Sequence, residues 1–203
     1  MNLIIHPSYF PSISHFVAIA KADLVTFEMD DNFQKQTNRN RMYIYSPNGI
    51  QLLNIPIKHS KDAHQKTRDV KLETAFDWQK QHFKSLEAAY RTSPFFEYFE
   101  DDILPIFEKK HTFLMDLNFQ TMEIVSKCLG LTFDYNETTE YFRQVDDKTD
   151  LRHLINGKKD TSVFDPYTQV FGEKHGFLNN LSILDVLFNE GRYALDYLKN
   201  QTL

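Results

Sequence analysis

The fold is decided by the stretch Leu3-Ile4-Ile5-His6-Pro7-Ser8-Tyr9-Phe10-Pro11 and by the pattern that follows it. Its first three residues are apolar and partly β-branched, and the two prolines close them off, which is typical of a buried strand. Apolar residues then recur at helical spacing from Ser12 to Ala22, and Leu24-Val25-Thr26-Phe27 predicts a second strand. Strand, helix and strand in this order predict a βαβ unit, with a parallel sheet and a right-handed crossover.

A hairpin and further strands follow in the sequence pattern. Residues 41–57 predict two strands joined by the turn Ser46-Pro47-Asn48-Gly49. Short apolar runs at Val70–Glu73 and Leu131–Tyr135 each predict one more strand. The polar segment from Lys58 to Arg68 has no apolar period and predicts a loop.

Helical periodicity dominates from Asp77, a suitable helix N-cap, to the end of the chain. Residues 143–160 are charged and poorly periodic, which predicts a surface loop or a lid. We therefore expect an α/β fold with a single domain over residues 1–203. Its sheet-rich part, residues 1–75, is expected to contain a parallel or mixed sheet that includes the βαβ unit. A mainly helical C-terminal part, residues 76–203, is expected to follow.

Composition and charge restrict the function classes. The 203 residues are 41% hydrophobic and 25% charged, as in ordinary globular proteins, and the net charge of −5 argues against general nucleic-acid binding. The single cysteine, Cys128, cannot form an intramolecular disulfide, which fits a reducing cytoplasm. The N-terminus lacks the features of a signal peptide, and no apolar run has the length of a membrane span. We expect a cytoplasmic protein, and no His or Cys spacing predicts a metal site.

A compact basic segment is the strongest candidate for a ligand site. It contains Lys35, Asn38, Arg39, Asn40 and Arg41, whose donor groups are of the kind that bind phosphate or carboxylate. These residues predict a local site for an anionic small molecule such as a nucleotide or a nucleotide-sugar. The alternative is a solvated hairpin edge that is protected by charge. No glycine-rich phosphate motif is present, so the cofactor stays unidentified.

Two histidines are the candidate catalytic residues. His6 follows the first strand, with His15 close behind it, and His82 shares a predicted helix face with Trp78. Because histidine titrates near neutral pH, His6 or His82 is suited to act as acid or base beside an anionic ligand. Tyr9 lies in the same turn as His6 and is predicted to contact the ligand. Burial in the core is the alternative for Tyr9 and for the Trp78–His82 pair.

Taken together, these residues resemble the WbqC-like family. The resemblance is carried by Pro7-x-Tyr9-Phe10-Pro11, Lys35-Gln36, Arg39-Asn40-Arg41, Ile55-Pro56-Ile57, Trp78 with His82, Tyr90, Ser93-Pro94-Phe95-Phe96, and Leu181-Ser182-Ile183-Leu184-Asp185-Val186-Leu187-Phe188-Asn189-x-Gly191. It covers nearly the whole chain. Many relatives carry Gln where this chain has His6, and Gly-Tyr where it has Ser14-His15.

The resemblance implies a bacterial protein that is linked with surface-polysaccharide biosynthesis. It also implies a transferase that acts on a sugar or an amino acid. From the basic segment we expect its donor to carry phosphate. The alternative is a noncatalytic binding or assembly protein of the same pathway, which uses the same site without proton chemistry. The resemblance supplies no catalytic residues, so the residues named above rest on their chemistry alone.

Overall fold

The predicted βαβ unit forms the first part of the structure. The structure is a computed structural model that describes residues 1–60 and 64–203. Its elements are strand β1 (Asn2–Ile5), helix α1 (Ile13–Ala20) and strand β2 (Leu24–Phe27). The two strands pair in parallel along their whole length, with Leu3 opposite Val25. The N-terminal part of the sequence prediction is therefore confirmed.

The predicted hairpin is also present. Strand β3 (Arg41–Ser46) pairs in antiparallel register with strand β4 (Gly49–Asn54). Gly49 has a φ of +96°, a backbone conformation that glycine adopts without steric cost. The hairpin forms a two-stranded sheet of its own and does not extend the parallel sheet.

The strand predicted at Val70–Glu73 is not formed. Leu72 and Lys71 make only isolated bridges, to Ile57 and Phe113 respectively. The apolar residues of this segment are buried instead, since Val70 and Leu72 belong to the hydrophobic core. Part of the predicted loop before it, residues 61–63, lies outside the described residues.

Two strands from the C-terminal part complete the parallel sheet. Strand β5 (Tyr135–Glu137) pairs with β2 and strand β6 (Thr149–Asp150) pairs with β1, so the strand order is β5-β2-β1-β6. The strand predicted at Leu131–Tyr135 thus lies further along the chain. The prediction of a loop or lid over 143–160 is wrong in part, because this region contains β6 and a 3₁₀ turn at Arg152–Ile155. Long-range pairing, rather than a local apolar pattern, creates both strands.

In the described part of the chain, six α-helices follow the hairpin. They are α2 (Trp78–Tyr90), α3 (Phe96–Glu108), α4 (Leu114–Leu129), α5 (Gly172–His175), α6 (Ile183–Glu190) and α7 (Ala194–Asn200). Asp77 caps α2 as predicted, since its side chain accepts a hydrogen bond from the Lys80 amide at 3.4 Å. Within the described part of the chain, no helix has the length and apolar character needed to cross a membrane.

Two hydrophobic clusters hold these elements together. The smaller joins one face of the parallel sheet to α1 and α4, through residues such as Leu3, Phe27, Ile19 and Met122. The larger joins the hairpin to α1, α2, α3, α4 and α6. Helix α1 contributes to both clusters, so it fixes the position of the hairpin relative to the carboxyl edge of the parallel sheet.

The N-termini of α1 and α6 meet and cap one another. The Ile13 amide donates to the Leu181 carbonyl at 3.0 Å, and the Ile183 amide donates to the Pro11 carbonyl at 2.7 Å. These bonds use backbone donors that a helix start otherwise leaves unsatisfied. The two hydrogen bonds place the region after Leu181 against the turn that follows β1. The basic segment also lies at this turn.

Candidate functional site

Three clefts surround residues 31–41, the segment that contains the predicted basic cluster. The cationic cleft, about 630 Å³, is lined by Phe33, Lys35, Gln36, Asn40, Arg41, Asn54, Ile57, Lys58, His59, Ser60 and Gln65. The polar cleft, about 280 Å³, includes Ser12, Gln36, Asn38, Arg41, Lys158, Asp160 and Asn180. The carboxyl-edge cleft, about 170 Å³, is lined by His6, Asp30, Asp31, Asn32, Gln34, Lys66 and Tyr141. Gln36 and Arg41 line both larger clefts, so these two adjoin.

The cationic cleft gathers positive charge. Lys35, Arg41 and Lys58 line it, and none of the three forms an ion pair with any residue that the structure describes. No carboxylate belongs to the described lining. Unpaired cations in one concave surface attract an anion and donate hydrogen bonds to it. The cleft is therefore suited to phosphate or carboxylate.

The hairpin holds two of the lining side chains in place. Arg41 Nε donates to Asn54 Oδ1 at 3.2 Å, and Asn40 Nδ2 donates to the Ile55 carbonyl at 2.9 Å. The two Nη nitrogens of Arg41 make no hydrogen bond to a residue that the structure describes, so they are available for a ligand. Phe33 and Ile57 add an apolar wall to the same cleft. A cationic surface beside an apolar wall fits a ligand that combines phosphate with a flat or apolar group.

The polar cleft contains a chain of hydroxyl groups. Ser12 Oγ lies 3.1 Å from His15 Nδ1 and 2.9 Å from Ser14 Oγ, which donates to Asp160 Oδ2 at 2.5 Å. Burial would raise the pKa of Asp160, but hydrogen bonds from Ser14 and from Asn180 hold that pKa below its usual value. Burial lowers the pKa of His15 to about 4, so His15 is neutral at pH 7. Asp160 thus ties its loop to the start of α1.

Left-handed backbone conformations occur at this cleft. Gln36 has a φ of +62° and Asn180 a φ of +53°, and both side chains line the polar cleft. Residues other than glycine rarely adopt such angles, and asparagine does so more readily than glutamine. Backbone strain of this kind clusters at ligand sites, which supports the assignment of a site here.

A buried ionic group lies at the carboxyl end of β1. Arg39 Nη2 donates to Asp31 Oδ2 and lies 3.3 Å from His6 Nε2. All three side chains are more than nine-tenths buried. Burial lowers the pKa of His6 well below its usual value, and the charge of Arg39 lowers it further, so His6 is neutral at pH 7. Because a guanidinium has donors only, His6 Nε2 is the acceptor and the ring proton lies on Nδ1.

A second buried ion pair lies beside it at the carboxyl ends of the strands. Arg152 Nη1 is 3.1 Å from Glu28 Oε2, and Arg152 Nη2 is 2.6 Å from Asp150 Oδ2. Thr138 Oγ1 donates to the other oxygen of Glu28 at 2.8 Å. This edge is where α/β proteins place their ligands.

Tyr9 and His82 lie in the aromatic core. Tyr9 Oη is 3.0 Å from His82 Nδ1, and the rings of Trp78 and His82 pack edge to face with centroids 5.2 Å apart. Burial lowers the pKa of His82 to about 4, and a hydrogen bond with the Asn54 backbone acts in the opposite direction. Neither Tyr9 nor His82 lines any of the three clefts. His82 thus contacts the backbone of Asn54, whose side chain accepts a hydrogen bond from Arg41 Nε.

The structure therefore separates the predicted site residues into groups. Lys35, Asn40 and Arg41 meet at the cationic cleft, and Asn38 lines the polar cleft. Arg39 is buried with His6, whereas Tyr9 and His82 belong to the core.

Sequence reasoning missed several residues that the clefts contain. Lys58, Asp160 and Asn180 come from segments distant from 31–41, and no local pattern links them to it. Asp31 had one usable signal, because it follows the second strand closely and carboxyl ends of parallel strands share one edge.

The comparisons with known proteins identify a family. The sequence profile of the WbqC-like protein family matches residues 6–163, which include the basic segment and both ionic groups at the carboxyl edge. The chain belongs to the WbqC-like protein family.

One relative matches nearly the whole chain. It is the uncharacterized protein Rv1507c of Mycobacterium tuberculosis, which is 29% identical over an alignment 226 residues long. The alignment covers 97% of this chain and 96% of that protein. No solved structure matches the chain.

Proposed function

We propose that this WbqC-like protein is a group transferase that uses a phosphate-bearing donor. Its acceptor is a sugar or an amino acid, and its pathway is bacterial surface-polysaccharide biosynthesis in the cytoplasm. The observation that carries the proposal is the cationic cleft. Lys35, Arg41 and Lys58 converge there with no carboxylate in the described lining of the cleft, in a chain whose net charge is −5.

The cleft suits the charge changes of group transfer. As the acceptor atom bonds to the transferred group, the bond from that group to the donor phosphate breaks, and negative charge grows on the phosphate. Cations that are already in place stabilise such charge. Lys35, Arg41 and Lys58 have this role in the proposal, and Phe33 and Ile57 contact the remainder of the donor.

The assignment of proton transfer to His6 and His82 stays a prediction. His6 is the better placed of the two, because it lines the carboxyl-edge cleft and is neutral at pH 7. His82 lines none of the three clefts, and its link to the cationic cleft is a hydrogen bond with the backbone of Asn54, a lining residue.

Titration of purified variants with a nucleotide-sugar and with pyrophosphate tests the donor site. We expect Arg41→Ala and Lys58→Ala to weaken binding of both probes about tenfold to a hundredfold, the effect of losing one charge-assisted contact. The control is Lys199→Ala, which removes an exposed lysine from α7. Arg39→Ala is less informative, because Arg39 is 1% exposed and its loss disturbs the buried ionic group. Equal binding by all variants would overturn the proposal.

A noncatalytic binding protein is the second candidate. It is favoured by the contact of Arg39 Nη2 with His6 Nε2, which occupies the nitrogen that a general base needs. Incubation of the protein with a nucleotide-sugar and an acceptor sugar, followed by ³¹P NMR, separates the two. Release of nucleoside diphosphate, lost in Arg41→Ala, supports the transferase. Tight binding without release supports the binding protein.

A further inference from the structure

The polar cleft contains a side-chain amide that has no hydrogen-bond partner. Asn38 lines this cleft and is 7% exposed, and its side chain makes no hydrogen bond to any residue that the structure describes. Neither Oδ1 nor Nδ2 of Asn38 is fully enclosed, so a molecule in the cleft reaches both atoms. A largely buried polar group without a partner destabilises a folded protein, and native structures rarely retain one without a reason. The free amide therefore indicates a ligand.

The position of Asn38 is fixed by its own backbone. Its amide nitrogen donates to the Ile155 carbonyl at 2.8 Å, and its carbonyl accepts from the Tyr9 amide at 3.3 Å. Burial restricts the side chain as well. A group that is already held in place loses little conformational freedom when a ligand binds.

The residue next to this amide in space is a glycine. A Cβ at Gly157 would lie 3.7 Å from Asn38 Nδ2 and 3.9 Å from Asn38 Oδ1, and these are its only neighbours within 4 Å among the described residues apart from those adjacent in sequence. The φ of Gly157 lies outside the left-handed region, so its backbone conformation does not require glycine. Gly157 also lines the polar cleft. Its missing side chain leaves the approach to the Asn38 amide open.

The amide offers a donor and an acceptor side by side. Nδ2 donates and Oδ1 accepts, and both are attached to one carbon. Two hydroxyls on neighbouring carbons of a sugar match this pair. One hydroxyl accepts from Nδ2 while the other donates to Oδ1, and both hydroxyls approach from the same side of the ligand.

An amino acid also carries a donor next to an acceptor, but its ammonium group needs a carboxylate partner. Asp160 is the only carboxylate in the described lining of the polar cleft. Its Oδ2 accepts from Ser14 at 2.5 Å and from Asn180 at 2.7 Å, and its Oδ1 accepts from the Ser162 amide at 3.0 Å. Both oxygens thus have protein partners, which favours hydroxyl groups over an ammonium group.

Strand β3 adds two further groups to the same cleft. Arg41 and Tyr43 are two residues apart and so lie on one face of the strand, and both line the polar cleft. The Tyr43 hydroxyl makes no hydrogen bond to a described residue and is not enclosed. Since Arg41 also lines the cationic cleft, a ligand on Asn38 lies next to the proposed site of the donor phosphate.

We infer that the polar cleft binds a vicinal diol, with one hydroxyl accepting from Asn38 Nδ2 and the other donating to Asn38 Oδ1. Resting on the proposed transferase function, this makes the acceptor a sugar rather than an amino acid. It also places the acceptor beside the donor, because the two larger clefts adjoin.

Titration followed by ¹H–¹⁵N correlation spectra tests the inference on the wild-type protein. The side-chain NH₂ resonances of Asn38 report directly on the amide. The probes are glucose, galactose and mannose, which present neighbouring hydroxyls in different orientations, and glycine. We expect at least one hexose to shift the Asn38 resonances saturably, and glycine to leave them unchanged. Unchanged resonances with all three hexoses, or shifts with glycine alone, would overturn the inference.

Two variants test the geometry with the hexose that binds. Gly157→Ala places a methyl group against the amide, and we expect it to weaken hexose binding at least about tenfold, the effect of losing one good hydrogen bond. The matched control is Gly172→Ala, which lies outside the polar cleft and should bind as the wild type does. Equal affinity of the two glycine variants would contradict the proposed approach to Asn38.

Asn38→Leu separates a binding role from a structural one. Leucine has a similar size and lacks the donor and the acceptor, so hexose binding should be lost. The melting temperature should not fall, because the amide has no protein partner to lose. Retained hexose binding would overturn the inference, and so would a marked loss of stability.

The donor and acceptor assignments fail separately. Lys58 lines the cationic cleft and not the polar cleft, so Lys58→Ala should weaken pyrophosphate binding and leave hexose affinity unchanged. Pyrophosphate binding without hexose binding leaves the donor site of the proposed function standing and overturns the diol site. Hexose binding at Asn38 without pyrophosphate binding has the opposite meaning.

Discussion

Ser12 and Ser182 form an isolated antiparallel β-bridge, and each of them directly precedes a helix. The bridge closes the N-termini of α1 and α6, because the amides of Ile13 and Ile183 donate to carbonyls of the opposite segment. Free helix N-termini are common binding sites for anions. Here the amides of Ile13 and Ile183 are already used. In the proposed function, lysine and arginine side chains on 35–58 bind the anion instead.

Removing the Ser182 hydroxyl should destabilise this junction. Ser182 Oγ donates to the Phe10 carbonyl at 2.9 Å and accepts from the Leu184 amide at 3.4 Å, and the residue is 2% exposed. We expect Ser182→Ala to lower the free energy of unfolding by about 1–2 kcal/mol, as for a lost helix cap. Urea denaturation measures the change, with the exposed Thr161→Ala as the control. Equal stability of the two variants would contradict the capping role.

Gly191 should not tolerate any side chain. It ends α6 with a φ of +55°, and a Cβ at this position would lie 2.5 Å from the ring of Phe95. We expect Gly191→Ala to destabilise the protein by about 2–4 kcal/mol, through backbone strain and overpacking. Gly172→Ala is the matched control, since nothing lies within 4 Å of its Cβ and its φ is ordinary. Thermal unfolding compares them, and a similar melting temperature for both would contradict the packing argument.

Local chemistry determined the parts of the fold that could be predicted. The βαβ unit and the Asp77 cap follow from residues adjacent in sequence. Strands β5 and β6 have three and two residues, all exposed, so only their partners β2 and β1 define them. Such pairing depends on contacts between distant segments, which a single sequence does not display.

The residues of the candidate site likewise divide into those that a local pattern predicts and those that only the fold brings together. Lys35 and Arg41 were predictable because one short segment carries both, whereas Lys58 and Asp160 reach the clefts only through the fold. The helical spacing of Trp78 and His82 is compatible with either a ligand face or a core. Their burial against Tyr9 decides for the core.

The stability of the protein should fall as the pH decreases from neutral. Burial lowers the pKa of His82 from 6.5 to about 4, so the unfolded chain takes up a proton before the folded protein does. The contribution of His82 to the free energy of unfolding, about 3 kcal/mol, is thus fully present above about pH 6.5. It is lost as the pH falls toward 4. Urea denaturation between pH 4.5 and 7.5, as approximate limits set by these pKa values, should show a shallower decline for His82→Gln than for the wild type. His15, whose pKa is also lowered, still contributes to the pH dependence of stability in that variant. Parallel declines would refute the assignment.

The Glu28–Arg152 pair should show strong coupling, because Glu28 is 1% exposed and Arg152 8%. Arg152→Met leaves the Glu28 carboxylate buried without its cation, and we expect a loss of about 3–5 kcal/mol in the free energy of unfolding. Glu28→Gln combined with Arg152→Met removes both charges, so the double variant should be more stable than Arg152→Met alone. A coupling energy of about 1–3 kcal/mol in the double-mutant cycle, measured by urea denaturation, is the expected result. Additive effects would mean that Arg152 acts mainly through its ion pair with Asp150 and its bonds to the Phe142 and Arg143 carbonyls.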